Sequence, residues 1–380
     1  MHKITILDLN EFIYKAKTSK LLEDGSFTWK APSNIALVKY WGKREVQIPE
    51  NPSISFTLSD CFTETTLEFK KRKKPAKVYK SENNITVTSR ESHFDIFLDG
   101  KRKPEFYKKI GEFIIRISPL TPFISDYDLL IKTHNSFPHS SGIASSASGM
   151  AALALCIMSM EKALNPDISE ELFYKKASYL ARLGSGSAAR SIKGELVVWG
   201  EHKDIKKSSD WYGVEFPHKV HENFKNYQDT ILLVDKGEKV VSSTVGHNLM
   251  HNHPFAHKRF EQANENLSKL TEILQNGDLK AFVNLVESEA LTLHAMMMTS
   301  NPYFILMKPN TLEIINKIWA FRKRINSNIC FTLDAGANVH VLFPEKEKET
   351  VNAFISKELI QFCHKNEYIS DSVGSGARQM

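Results

Sequence analysis

The 380 residues carry 42% hydrophobic and 25% charged side chains, a globular composition with enough length for two packed domains and no sign of disorder. No apolar run approaches the ~20 residues of a membrane-spanning helix, and Asp8, Glu11, Lys15, Lys17 and Lys20 break up the N-terminus where a secretory signal needs an apolar stretch. A net charge of +6 favours anionic ligands only mildly.

Residues 1–27 read as an extension, because Glu23-Asp24-Gly25-Ser26 is turn chemistry and the first strand-like run is Phe27 to Ala31. Short β-type segments follow at Ile54 to Leu58, Thr65 to Phe69, Ile85 to Thr88 and Phe94 to Leu98. A helix is expected near Pro104 to Ile117 and a strand at Tyr127 to Thr133. A loop of small residues then opens a long Ala-rich helix, Ser146 to Ala163. A second helix near Ser169 to Leu183 precedes another small-residue segment and a strand, Gly194 to Trp199. Residues 203–228 are polar and aromatic without periodicity, which places the domain boundary there. The expected division is 28–215 and 216–380. The C-terminal part opens with a strand at Thr230 to Asp235. Helices follow near 257–276, 278–295 and 310–326, then a strand pair, Ile329 to Leu333 and Val339 to Phe343, and a last helix near 347–364. Partly segregated strands and helices make this an α+β chain in two domains.

Cys61, Cys156, Cys330 and Cys363 are far apart with no CxxC pair, which argues against a disulfide framework or a thiolate zinc site and suits a cytoplasmic location. The lysine-rich stretch Lys70 to Lys80, around Pro75, reads as a solvated hairpin tip, since no nucleic-acid module surrounds it. His247, His251, His253 and His257 include pairs at i, i+4, but Pro254 interrupts the helix and no carboxylate completes a metal set. No metal held by protein side chains is expected. Met296 to Met298 read as core packing or a pocket wall.

Four segments carry chemistry. Asn135 to Gly149 runs from a strand through small residues into a helix start, whose backbone N–H groups and macrodipole suit a phosphate; a serine-rich capped helix start fits the same residues. It lacks the GxxxxGK[ST] pattern and is not a P-loop. Ala31 to Arg44 interleaves Lys39, Lys43 and Arg44 with Tyr40 and Trp41, either an anion clamp or a surface strand with solvated lysines. Gly184 to Arg190 offers amides, hydroxyls and an arginine able to fork onto a carboxylate or phosphate, or else a flexible helix end. Asp334, between two strands, is either a turn aspartate or a carboxylate held over a substrate hydroxyl.

In this order the segments resemble the mevalonate diphosphate decarboxylases of the GHMP kinase superfamily. The family's NIA-x-x-KYWGKR signature stands at Asn34 to Arg44 and its N-x-S-x-S-x-TL element at Asn51 to Leu58. Its phosphate loop stands at Asn135 to Ala147, its GSGSA-x-R segment at Gly184 to Arg190, and its DAG-x-N turn at Asp334 to Asn338. The resemblance implies the two-domain GHMP fold, with an N-terminal ATP-binding domain like the second domain of a small-subunit ribosomal protein and a ferredoxin-like C-terminal domain. It implies ATP with Mg²⁺, phosphorylation of a tertiary 3-hydroxyl on mevalonate 5-diphosphate, and loss of phosphate and CO₂ to leave isopentenyl diphosphate.

By motif position, Asp334 would orient or deprotonate that hydroxyl, Lys39 would accompany it, and Arg190 would orient the substrate carboxylate. Tyr40, Lys43 and Ser187 would bind the phosphate end. Ser141, Gly142, Ser145, Ser146 and Ala147 would line ATP. The chain departs from the pattern at Ala337, where the family usually has proline, and at His139-Ser140-Ser141. A monophosphate-specific decarboxylase and a kinase that spares the carbon skeleton are the alternatives. Homodimers occur among such proteins, and no membrane or nucleic-acid partner is implied.

Overall fold

A computed structural model describes residues 9–16, 21–44, 46–73, 78–80, 86–88, 93–138, 143–236 and 243–380. β1 (Asp24–Val38) leads through the short strands β2 (Lys43–Arg44) and β3 (Ile48–Pro49), which pair with each other, into β4 (Ser53–Lys71). β1 and β4 are antiparallel partners of 15 and 19 residues. The two short segments expected at Ile54 to Leu58 and Thr65 to Phe69 are therefore one strand. Ser59 and Asp60, exposed at a bulge, and Thr63, buried with its hydroxyl against Asn135 and Ser148, interrupt the apolar pattern between them.

β5 (Val78–Lys80) and β6 (Thr86–Thr88) pair with each other. β7 (Phe94–Leu98), β8 (Lys101–Arg102), α1 (Tyr107–Ile117) and β9 (Tyr127–Asn135) follow. Then come α2 (Ser145–Leu164), α3 (Glu170–Gly184), β10 (Leu196–Trp199) and β11 (Val214–Glu215). The first sheet runs β11-β10-β4-β9-β7-β8, with β1 on the other side of β4. The second half contributes β12 (Gln228–Leu232), α4 (Ser243–Asn248), α5 (Ala256–Asn276), α6 (Leu279–Met298) and α7 (Pro309–Ile325). It is completed by β13 (Cys330–Thr332), β14 (Val339–Phe343), α8 (Lys348–Phe354) and β15 (Tyr368–Ser372), with sheet order β13-β14-β12-β15, all antiparallel. The helix expected over 347–364 is present as α8, followed without a break by a π-helical segment, Ile355–Leu359, and a 3-10 turn, Ile360–Phe362; β15 was not anticipated. β16 (Arg378–Gln379) returns to the first sheet and pairs with β1 at Trp29 and Lys30.

α2 is the axle of the N-terminal half. It is apolar on every side, as a fully enclosed helix must be, and Ala151, Ala152 and Ala154 let its neighbours approach closely. By length and composition it could cross a bilayer, contrary to the expectation from the sequence, yet 83% of its apolar window is buried in the protein. Phe12, from a short turn at Leu9–Phe12, is fully buried in the same core, its ring tilted against that of Tyr179 with centroids 4.9 Å apart. A second core joins the two halves. Ile35, Leu37, Ile54 and Phe56 of the first sheet pack with Leu267, Leu270, Phe282 and Val286 of α5 and α6. Asp371 of β15 fastens the seam from the other side. Its carboxylate accepts N–H groups of Ser59, Asp60 and Cys61 at 2.9, 2.9 and 2.6 Å, at a bulge in β4.

Candidate active site

β1 and α6 fix the first pair of groups. Lys39, just past the end of β1, is 2% exposed, and its Nζ lies 3.0 Å from Asp334 Oδ1. Its backbone is held on both sides. The Lys39 N–H donates to Glu289 Oε2 at 2.9 Å, while its carbonyl accepts from Asn51 Nδ2 at 2.9 Å and Arg259 Nη2 at 3.2 Å. Glu289 and Arg259 are themselves a fully buried two-pronged pair, with Nη1–Oε1 2.9 Å and Nη2–Oε2 2.5 Å, and Asn266 donates to the same carboxylate at 2.6 Å. A lysine so placed cannot swing away from its carboxylate partner. Asp334, in the turn after β13, is 29% exposed and faces a cleft. His294 of α6 donates Nε2–H to the Asp334 carbonyl at 3.1 Å, and burial lowers its pKa to about 4.

Arg190 ends the turn of Gly186–Arg190 and is 3% exposed. Nε donates to Ser55 Oγ and Nη1 to Ser53 Oγ, each at 2.6 Å, so two edges of the guanidinium are fixed by β4. Burial lowers its pKa to about 10, still far above neutrality, so the cation persists. Asn34 of β1 donates to the Ser187 carbonyl at 3.2 Å and to Ser191 Oγ at 2.7 Å, which locks this turn against the strand. Tyr40 packs edge-on to Trp199, centroids 4.7 Å apart. Its buried hydroxyl has no hydrogen-bond partner among the described residues, and burial raises its pKa. Gly186 must be glycine here: an added Cβ would lie 2.8 Å from Trp199 and 3.0 Å from Tyr40 Oη.

The other end of the cleft is the start of α2. Ala144 adopts φ 44°, a left-handed bend uncommon outside glycine, and turns the chain abruptly into the helix. Helix geometry leaves the first-turn N–H groups without intrahelical partners, and they carry the positive end of the macrodipole. Ser145, Ser146 and Ala147 line the cleft at that point, opposite Lys109, Glu112 and Arg116 of α1. Lys109 donates to Ser146 Oγ at 3.0 Å. Beside them a smaller apolar pocket of about 100 Å³, walled by Ile96, Leu98, Phe106, Ile131 and Leu153, shares Lys109, Ser145 and Ser146.

One cleft of about 580 Å³ thus gathers Lys39, Tyr40, Lys43, Ser145, Ser146, Ala147, Ser187, Arg190 and Asp334. The sequence named every one of these. Ser141 and Gly142 lie outside the described residues. Five cations (Lys39, Lys43, Lys109, Arg116, Arg190) face two carboxylates (Asp334, Glu112), a balance that suits a ligand with several negative charges.

The matches to known proteins agree. Residues 31–210 match the diphosphomevalonate decarboxylase-like N-terminal domain, and 230–377 the mevalonate 5-diphosphate decarboxylase C-terminal domain. Diphosphomevalonate decarboxylase of Candida albicans is 30% identical over 92% of this chain and 93% of its own length. The chain belongs to the diphosphomevalonate decarboxylase family. Among solved structures, mevalonate diphosphate decarboxylase from Staphylococcus aureus superposes with TM-score 0.77 at 27% identity, covering 94% of this chain and 98% of that one. A complex of MDDEF with MVAPP, AMPPCP and magnesium gives TM-score 0.76 at 28% identity, over 93% and 98%. The two-domain α+β GHMP kinase fold is thereby shown.

Some members of this family site escaped the sequence. Arg259 and Glu289 sit on amphipathic helices, where charged residues ordinarily face water. Lys109, Glu112 and Arg116 read as the polar face of α1. The available signal was slight: Glu287 and Glu289 within the otherwise apolar stretch of α6.

Proposed function

We propose that this chain catalyses the ATP-dependent decarboxylation of mevalonate 5-diphosphate to isopentenyl diphosphate. The observation that carries the reading is the Lys39–Asp334 pair at 3.0 Å, opening onto the same cleft as Arg190 and the start of α2. The residues also fit nucleotide with Mg²⁺. The cations of the cleft and the start of α2 suit the nucleotide phosphates that would carry the ion. When bound, Mg²⁺ supplies charge neutralisation on those phosphates. Ser145, Ser146 and the first-turn amides of α2 would hold the phosphate oxygens, and the apolar pocket beside them would take the adenine ring.

The chemistry follows from the placement of these groups. Asp334 orients the tertiary 3-hydroxyl and accepts its proton as the oxygen takes the terminal phosphoryl group. Lys39 holds that carboxylate turned toward the substrate. Arg190, tied to Ser53 and Ser55, presents its remaining edge to the substrate carboxylate and keeps the C1–C2 bond aligned with the departing C3–O bond. The C3–O bonding pair leaves with phosphate. The C1–C2 pair becomes the new double bond between C2 and C3, and C1 departs as CO₂. No covalent nucleophile is needed, and the protein's share is positioning and electrostatics.

The test uses Mg²⁺-ATP and carboxyl-labelled mevalonate, supplied free, as the 5-phosphate and as the 5-diphosphate, with ADP and labelled CO₂ followed together. Equal release of both from the diphosphate is expected. ADP without CO₂ would make the chain a kinase, preference for the monophosphate would move it to the sister activity, and no product from any of the three would refute the proposal. We also propose a cytoplasmic location, supported by four buried free cysteines, Cys61, Cys156, Cys330 and Cys363. Cell fractionation tests it.

A further inference from the structure

His247 is a buried histidine that the steps above leave unused. It stands in α4, 8% exposed, with its ring between those of Tyr40 and Trp41 at centroid distances of 4.2 and 4.6 Å. Gly246 seats α4 hard against Trp41: an added Cβ there would lie 2.5 Å from the indole. The Gly42 N–H donates to His247 Nδ1 at 3.0 Å. A ring nitrogen that accepts a hydrogen bond holds no proton, so the neutral ring carries its proton on Nε2. Burial, with the charges of Lys43 and Arg190 beside it, lowers the pKa to about 3, and the ring stays neutral at physiological pH. It cannot act as a base toward the substrate, because its one lone pair is already engaged. What remains is a rigid, uncharged N–H donor.

The imidazole lines the cleft together with Lys43, Tyr40, Ser187 and Arg190. Lysines attract an anion without fixing where each oxygen sits, whereas a clamped ring with one available donor selects a single oxygen position. We propose that His247 is a specificity-determining residue that donates its Nε2–H to a phosphoryl oxygen at the substrate's 5-end, between Lys43 and Arg190. This rests on the decarboxylase reading of the cleft.

Three substitutions separate the two edges of the ring. His247→Asn keeps an acceptor near Nδ1, for Gly42, but does not reach the Nε2 position. His247→Gln reaches it with an N–H and gives up the near acceptor. His247→Met has neither. With mevalonate 5-diphosphate, KM is expected to rise about tenfold or more in the Met and Asn variants, the scale of a lost hydrogen bond to a charged group. His247→Gln should recover most of that loss, and KM for ATP should move little in all three. Recovery by Asn and not by Gln would overturn the proposal, because it would make the Gly42 contact the whole role. Should the variants fail to fold, ¹⁵N-histidine spectra of the wild-type protein decide. The His247 signal is expected to show the Nε2–H tautomer, with Nε2 shifting on saturation with mevalonate 5-diphosphate; an unmoved signal would overturn the proposal. Failure of the wild-type protein to release ADP and CO₂ is a separate result that strikes the decarboxylase reading itself.

Discussion

Replacing Glu289 by Gln probes the network that holds Lys39. The carboxylate accepts four hydrogen bonds: Oε1 from Arg259 Nη1 and Asn266 Nδ2, and Oε2 from Arg259 Nη2 and the Lys39 N–H. An amide of the same shape keeps one oxygen and turns an NH₂ toward two donors, and it leaves the fully buried Arg259 cation without a counter-charge. Breaking a buried pair from one side costs about 3–5 kcal/mol. At roughly 2 °C per kcal/mol for a chain of this size, the melting temperature should fall by about 6–10 °C. The effect should also reach the chemistry, because the lost N–H acceptor sets the backbone from which Lys39 meets Asp334. Calorimetry gives the first number, and kcat measured well below the transition gives the second. Arg259→Met alone should cost a similar amount, and the double variant should cost much less than the sum. A melting temperature within 2 °C of wild type, with unchanged kcat, would refute this account of how Lys39 is held.

Asp334→Asn should lower kcat by about 10²- to 10⁴-fold, the range for a general base. KM for ATP should barely change, and the melting temperature should fall less than in Glu289→Gln, since Lys39 loses its counter-charge but Asp334 is 29% exposed at the cleft; steady-state kinetics with calorimetry checks all three. Gly186→Ala should press on Tyr40 and Trp199 and reduce kcat/KM for the diphosphate by roughly tenfold or more, while a loss below twofold would show that the rings give way freely. Stability should be full above pH 6.5 and fall below it. His247 and His294 have folded pKa values of about 3 and about 4, so the unfolded chain, near 6.5, takes up protons that the folded one refuses. Each contributes a loss on the order of 1 kcal/mol by pH 5.5. Urea unfolding at pH 7.5 and 5.5 measures it, and His294→Gln should shrink the difference.

The helices were legible because their apolar periods and small-residue starts are local properties. Ser145–Leu164, Glu170–Gly184 and Pro309–Ile325 begin and end within a few residues of expectation. The reach of β1 and β4 was not legible, since Ser53, Ser55, Thr57, Thr63 and Thr65 are polar yet buried by partners distant in sequence. Asp371 shows the same limit: three backbone donors some 310 residues away give it a purpose that no neighbour in sequence hints at. At the site, residues in glycine- and serine-rich turns were found because they stand in short motifs whose order resembles a known family, each motif alone being ambiguous. Arg259 and Glu289 were missed because 30 residues separate them. His247 was hidden by company, since His251, His253 and His257 drew attention to a metal.

The nineteen residues of β4 belong to both cores at once: Ile54 and Phe56 pack into the shared one, and Leu67 and Phe69 into the one around α2. Mechanically the strand is a beam clamped at each end and pinned at its bulge by Asp371. Its ladder partner β1 lies in the same sheet, so a push from α5 and α6 on Ile54 and Phe56 is carried along the strand toward Leu67 and Phe69. The strand thereby couples the seating of α5 and α6 to the core around α2, the helix that opens at the cleft.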